Sequence, residues 1–83
     1  MTAYKLRAEC VQDILNFINQ LVNHGIKANF GSINTLYNEL VFETKISRDE
    51  IMALIRKVED GHVMLQTIQP LEKYTGARDW NIK

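Results

Sequence analysis

Hydrophobic and polar residues alternate in two separated segments of the chain, one near the N-terminus and one near the middle. Charged residues occupy the intervening positions in both segments. A period of two with one polar side is typical of a strand that buries a single face. The pattern therefore predicts two strands with these inward side chains: Tyr4, Leu6 and Ala8 in the first, and Leu40, Phe42 and Thr44 in the second.

Each alternating segment is followed by apolar residues at steps of three and four, which predicts a helix. The first helix is expected to end at Gly25, because glycine readily adopts the left-handed conformation of a helix C-terminus. Ser47 and Glu50 form the capping box of the second, and Gly61 is expected to end it. The predicted buried stripes are Val11, Ile14, Leu15, Ile18, Leu21 and Val22 in the first helix, and Ile51, Leu54, Ile55 and Val58 in the second.

Two further segments favour strands at the edges of a sheet. Ala28, Phe30 and Ser32 are expected to share one face of a strand over 27–33, and Gly31 indicates a bulge in it. The segment 63–68 is rich in residues that favour strands and stops before Pro70. Both segments carry few charges, so they predict exposed edges that are open to pairing.

The two halves of the chain also resemble each other at an offset of 36 residues, which aligns Leu15 with Ile51 and Gly25 with Gly61. The element order β-α-β-β-α-β predicts an α+β domain of the ferredoxin-like class. In that class an antiparallel four-stranded sheet, in the order 4-1-3-2, carries two helices on one face. A winged-helix domain is the alternative, and it needs a third helix beginning within 28–32. The centre of the predicted core comprises Leu6, Leu15, Ile18, Leu40, Phe42, Leu54 and Val58.

Length and charge narrow the possible classes of protein. The chain has 83 residues, from which we expect one domain over 1–70 and a C-terminal tail or arm over 71–83. Ten basic and ten acidic residues give no net charge, which argues against a dedicated nucleic-acid binder. No apolar run approaches the roughly 20 residues of a membrane-spanning helix. The single cysteine cannot form an internal disulfide, so we expect a cytoplasmic location.

No sequence motif brings reactive side chains together. Cys10 is expected to be a small buried hydrophobe. His24 and His62 lie near predicted helix ends, and Asp13 lies in a first helical turn, where the helix dipole favours each charge. The sequence therefore predicts no catalytic residue, cofactor or metal ligand, and it favours a binding module over an enzyme. Two alternatives stay open: a small metal-dependent ribonuclease or antitoxin-type nuclease of the same fold, and a small-ligand regulatory domain.

The tail carries the interaction residues that the sequence predicts, namely Tyr74, Arg78, Asp79 and Trp80. Trp, Tyr and Arg are enriched among the residues that dominate protein interfaces. We expect a protein-binding module that acts through a protein partner and forms a homodimer dependent on residues 71–83. The competing expectation is that the tail covers part of its own sheet.

Overall fold

Four strands and three helices make up residues 1–71, the part of the chain that this computed structural model describes. The strands form one antiparallel sheet in the order β2-β3-β1-β4, which agrees with the predicted order. The α+β class is therefore confirmed. The elements are β1 (Thr2–Arg7), α1 (Val11–Asn23), β2 (Ala28–Asn34), β3 (Glu39–Thr44), α2 (Arg48–Ile55), α3 (His62–Thr67) and β4 (Gln69–Pro70).

The two alternating segments are the central strands, with the predicted faces. β1 and β3 are antiparallel, and Tyr4 lies opposite Phe42 while Leu6 lies opposite Leu40. All four side chains are buried, and burial alternates along the whole of β3. The pairing of β2 with β3 shifts register between Phe30 and Ile33, which confirms the predicted bulge at Gly31.

The core is centred on the Phe42 ring, which is fully buried. Three aromatic rings surround it, with centroid distances of 5.8 Å to Tyr4, 5.5 Å to Phe17 and 6.3 Å to Phe30. Aromatic pairs at these separations stabilise a core beyond the area that they bury. Of the residues predicted at the centre of the core, Ile18 is only partly buried. The prediction is confirmed for Leu6, Leu40, Phe42, Leu54 and Val58.

The prediction that Leu15 lies in the core is wrong, because its side chain is 41% exposed. Val22 is 64% exposed, and the fully buried Phe17 was not predicted. The offset of 36 residues used to compare the halves is also one residue too short for the helices. Inward positions repeat after 36 residues in the strands, but buried helix positions repeat after 37 residues, as in Ile14 and Ile51. A one-residue shift turns a helix by about 100°, so it exchanges a core position for one on the flank.

The helix signals at Gly25 and Ser47 are confirmed. The Gly25 N–H donates to the Val22 carbonyl at 3.0 Å, and the Ile26 N–H donates to the Leu21 carbonyl at 3.0 Å. This is a Schellman motif, and Gly25 adopts φ +68° within it. The capping box at the start of α2 is complete, since Ser47 and Glu50 each accept from the other's backbone N–H.

The predicted strand over 63–68 is wrong, because residues 63–67 belong to α3 and Ile68 is the C-cap of that helix. The end of α3 takes the place of a neighbouring strand beside β1. The Thr67 hydroxyl accepts a hydrogen bond from the Arg7 N–H at 2.8 Å. Gly61 does not end α2, which already ends at Ile55. A Cβ at Gly61 would lie 2.6 Å from the Ile55 carbonyl oxygen, so close backbone packing selects glycine at this position.

The last strand is short, and Pro70 is part of it. Gln69 pairs with Lys5, Pro70 pairs with Tyr4, and the Leu71 N–H donates to the Ala3 carbonyl at 2.9 Å. Residues 28–34 form a strand, so the winged-helix alternative is wrong. The observed order β-α-β-β-α-α-β differs from the expected pattern by the additional helix α3 and by the two-residue β4.

Candidate protein-interaction site

The residues that the sequence predicted for interaction, Tyr74, Arg78, Asp79 and Trp80, lie outside the described residues. The prediction for Cys10 falls inside them and is wrong, because its side chain is exposed. Cys10 occupies the N-cap position of α1, and its side chain makes no capping hydrogen bond. An N-cap residue lies at the surface where the chain enters the helix, so the strand alternation does not extend to it.

The histidines and the acidic residues of the described part form no cluster larger than a pair. His24 Nδ1 lies 2.9 Å from the Gln20 carbonyl oxygen, and His62 Nε2 lies 3.4 Å from Glu9 Oε2. Asp13 is buried in the first turn of α1, where the helix dipole favours its charge. Residues 1–71 hold no group of three or more His, Cys, Asp or Glu side chains placed to bind a metal ion.

The outward face of the central strands is polar and paired. Lys5 Nζ and Arg7 Nε lie 3.8 Å and 3.5 Å from the same oxygen of Glu39. Asn29 Nδ2 donates to Glu43 at 3.1 Å on the neighbouring strand pair. Each pair of opposite charges on facing strands contributes about 0.2–1 kcal/mol. Glu39 and Glu43 on this face therefore have partners within the chain.

The turn between β2 and β3, residues 35–38, is held by hydrogen bonds at both of its ends; we call it the hairpin tip. Asn34 Oδ1 accepts from the Leu36 N–H at 3.0 Å and from the Tyr37 N–H at 3.3 Å, which is an Asx turn. Asn38 follows with φ 51°, a left-handed conformation that asparagine tolerates. Its amide donates to the Glu9 carbonyl at 3.0 Å, and its own carbonyl accepts from the Ala8 N–H at 2.9 Å.

Two large side chains project from this turn. Leu36 is 78% exposed and Tyr37 is 55% exposed. The Arg7 guanidinium lies 5.5 Å from the centroid of the Tyr37 ring, a cation–π contact that orients the ring. The hairpin tip therefore presents an aliphatic and an aromatic side chain on a backbone fixed by hydrogen bonds.

Besides Leu36 and Tyr37, few large apolar side chains are exposed in the described part of the chain. The others are Met1, Leu15 and Val22. Local sequence patterns did not predict the hairpin tip as a site. The available signal was the pair of asparagines that bracket Leu36 and Tyr37, because asparagine both closes a turn and tolerates left-handed backbone.

No helix within residues 1–71 is long and apolar enough to cross a membrane. Comparison with protein-family models, curated proteins and solved structures gives no match to this chain. The local geometry of the described residues is therefore the basis for a functional proposal.

Proposed function

We propose that this protein is a protein-binding module, and that the hairpin tip is its contact with a protein partner. The observation that carries the proposal is the exposure of Leu36 and Tyr37 on a turn with fixed backbone geometry. Tyrosine and arginine are enriched at interface hot spots, and Arg7 stands against the Tyr37 ring. The partner chemistry that fits is an apolar protein pocket that accepts Leu36, with a polar rim for the Tyr37 hydroxyl.

The hydrogen-bonded backbone of the tip favours binding in energetic terms. Ordering a mobile side chain at an interface costs about 0.5–1.5 kcal/mol, and ordering a loop backbone adds to that cost. The hydrogen bonds of the hairpin tip reduce the backbone part of it. Full burial of a leucine side chain contributes about 1.5–3 kcal/mol. Leu36 starts from 78% exposure, so nearly all of that contribution is available to a partner.

The test compares two double variants of the full chain as baits. Leu36→Ser with Tyr37→Ser removes the tip side chains. Ala53→Ser with Lys57→Ser is the control at two exposed residues, one in α2 and one in the turn after it. A partner captured by the wild type is identified by mass spectrometry, purified and titrated by calorimetry. We expect the tip variant to bind it at least about tenfold more weakly, equivalent to about 1.4 kcal/mol. The control should bind as the wild type does.

Equal binding by the tip variant would contradict the proposal, as would the absence of any partner that distinguishes wild type from tip variant. Urea unfolding of all three proteins shows whether each variant is folded. The substituted residues are exposed, and substitutions at such sites usually change stability by about 0.5 kcal/mol or less.

We include self-association in the proposal, since a homodimer is expected from the sequence. The dependence on residues 71–83 that the sequence predicts is untested, and truncation of the chain compares it with a contact inside the described residues. We also propose that the fold is a variant of the ferredoxin-like class, supported by the sheet order β2-β3-β1-β4. Comparison of a crystal structure with that class tests this second point, because a different order or direction of the four strands would exclude it.

A further inference from the structure

Four apolar residues form a line along the flank of α1, beside the side that faces the core; we call it the α1 stripe. It comprises Val11, Leu15, Ile18 and Val22. Leu15 and Val22 are 41% and 64% exposed, whereas Val11 and Ile18 are partly buried. The steps of four, three and four residues are those of a coiled-coil seam, which packs against another helix.

The exposed surface of α1 carries no charge. Asp13 is the one charged residue of this helix, and it is buried. The exposed polar residues of the helix are the amides Gln12, Asn19 and Asn23. The first turn of α2, by contrast, exposes Arg48, Asp49 and Glu50. Depletion of charged residues is the compositional mark of an interface centre.

The spacing of the α1 stripe is the same in both directions along the helix. A twofold axis placed midway between Leu15 and Ile18 sets Leu15 against the Ile18 position of a second copy. The same axis sets Val11 against the Val22 position. A closed dimer uses one patch twice, so the patch has to complement itself. A palindromic, uncharged stripe meets that condition, because antiparallel packing brings no like charges together.

We infer that the α1 stripe is the self-association surface of this protein and that two copies pack α1 against α1 in antiparallel orientation. This inference rests on the self-association in the proposed function and assigns a surface to it. α1 has 13 residues, so it is about 20 Å long. Contact through one such helix lies at the low end of specific interface sizes, which fits a dimer dissociating at about 10 µM to 1 mM.

Sedimentation equilibrium over that concentration range tests the surface. Leu15→Glu with Val22→Glu places two carboxylates per copy on the α1 stripe. The matched control, Gln12→Glu with Asn23→Glu, adds the same charge to exposed positions elsewhere on α1. We expect the stripe variant to raise the dissociation constant at least about 100-fold, because like charges would be juxtaposed in a dry contact. The control should change it less than about threefold.

A chain truncated after Leu71 separates the α1 stripe from the tail as the contact. We expect it to dimerise as the full chain does. Loss of the dimer on truncation, with the dimer kept in the stripe variant, would overturn the inference and assign the contact to residues 72–83. A wild type that is monomeric throughout would contradict self-association itself. Partner binding through the hairpin tip is measured separately, so its failure is distinguishable.

Cross-linking tests the orientation. In a Cys10→Ser background, chains with Val11→Cys and chains with Val22→Cys are mixed and oxidised. These positions lie about 17 Å apart along the helix axis, so the two orientations give different products. Antiparallel packing predicts a disulfide between the two different chains. Disulfides between identical chains would overturn the antiparallel arrangement.

Discussion

Replacement of Phe42 by alanine is the most direct test of the packing described above. The ring is fully buried and has three aromatic neighbours within 6.3 Å. A Phe→Ala change in a core costs about 3–5 kcal/mol, which includes the cavity that is left. We expect the upper half of that range, because the aromatic pairs that Phe42 forms stabilise the core in addition to the area that the ring buries. A chain of 83 residues has a total stability of about 4–12 kcal/mol.

The alanine variant is therefore expected to lose from about a third to all of the free energy of unfolding, and it is unfolded if the wild type lies at the lower end of that range. Phe42→Leu keeps most of the volume and should cost about 1.5 kcal/mol, so it gives a measurable transition. Val41→Ala is the matched control, because Val41 is the neighbouring residue on β3 and lies on the outward face. Urea unfolding followed by circular dichroism, with the slopes compared, gives the free energies of unfolding.

The reasoning is refuted if Val41→Ala lowers the free energy of unfolding more than Phe42→Leu does. Successive residues of a strand point to opposite faces, so that result would mean that β3 is out of register by one residue. A Phe42→Ala variant with the wild-type midpoint would likewise show that the aromatic cluster is not the centre of the core.

Three further predictions concern single hydrogen bonds and are measured as urea midpoints. Ser47→Ala should lower the free energy of unfolding by about 0.5–2 kcal/mol, because the Glu50 N–H loses its acceptor; an unchanged midpoint would mean that α2 does not begin there. Cys10→Ser should raise it by about 0.5–1 kcal/mol, because serine can cap α1 where cysteine does not; a lower midpoint would contradict this. Thr67→Val should lower it by about 1 kcal/mol and speed amide exchange at Arg7; an unchanged exchange rate would refute the contact.

Local periodicity was sufficient for the central strands and for the start of α2. Its limits appear where tertiary contacts decide between two local structures. The segment 63–68 has the composition of a strand, yet α3 forms there because Met64 and Ile68 are buried from a helical turn and Thr67 bonds to β1. The bond to β1 is not visible in a local pattern, because its two partners lie 60 positions apart.

The candidate site was harder to predict than the fold. Exposure of Leu36 and Tyr37 depends on the three-dimensional course of a short turn, and an apolar pair in sequence is equally compatible with burial. The α1 stripe was assigned to the core for a related reason. A six-residue apolar pattern covers more of a helix than the sheet can bury, so the side chains at one flank remain outside the core.

The closure of β1 by α3 and β4 has a consequence for the order of folding. β1 is first in the sequence, but one of its edges is completed only by Thr67, Gln69 and Leu71. Bringing together positions about 60 residues apart costs about 4 kcal/mol in chain entropy beyond a constant term. Until that step, the Arg7 end of the strand keeps unpaired amide and carbonyl groups. Chains interrupted before Thr67 are therefore expected to expose this edge and to recruit strands from other molecules.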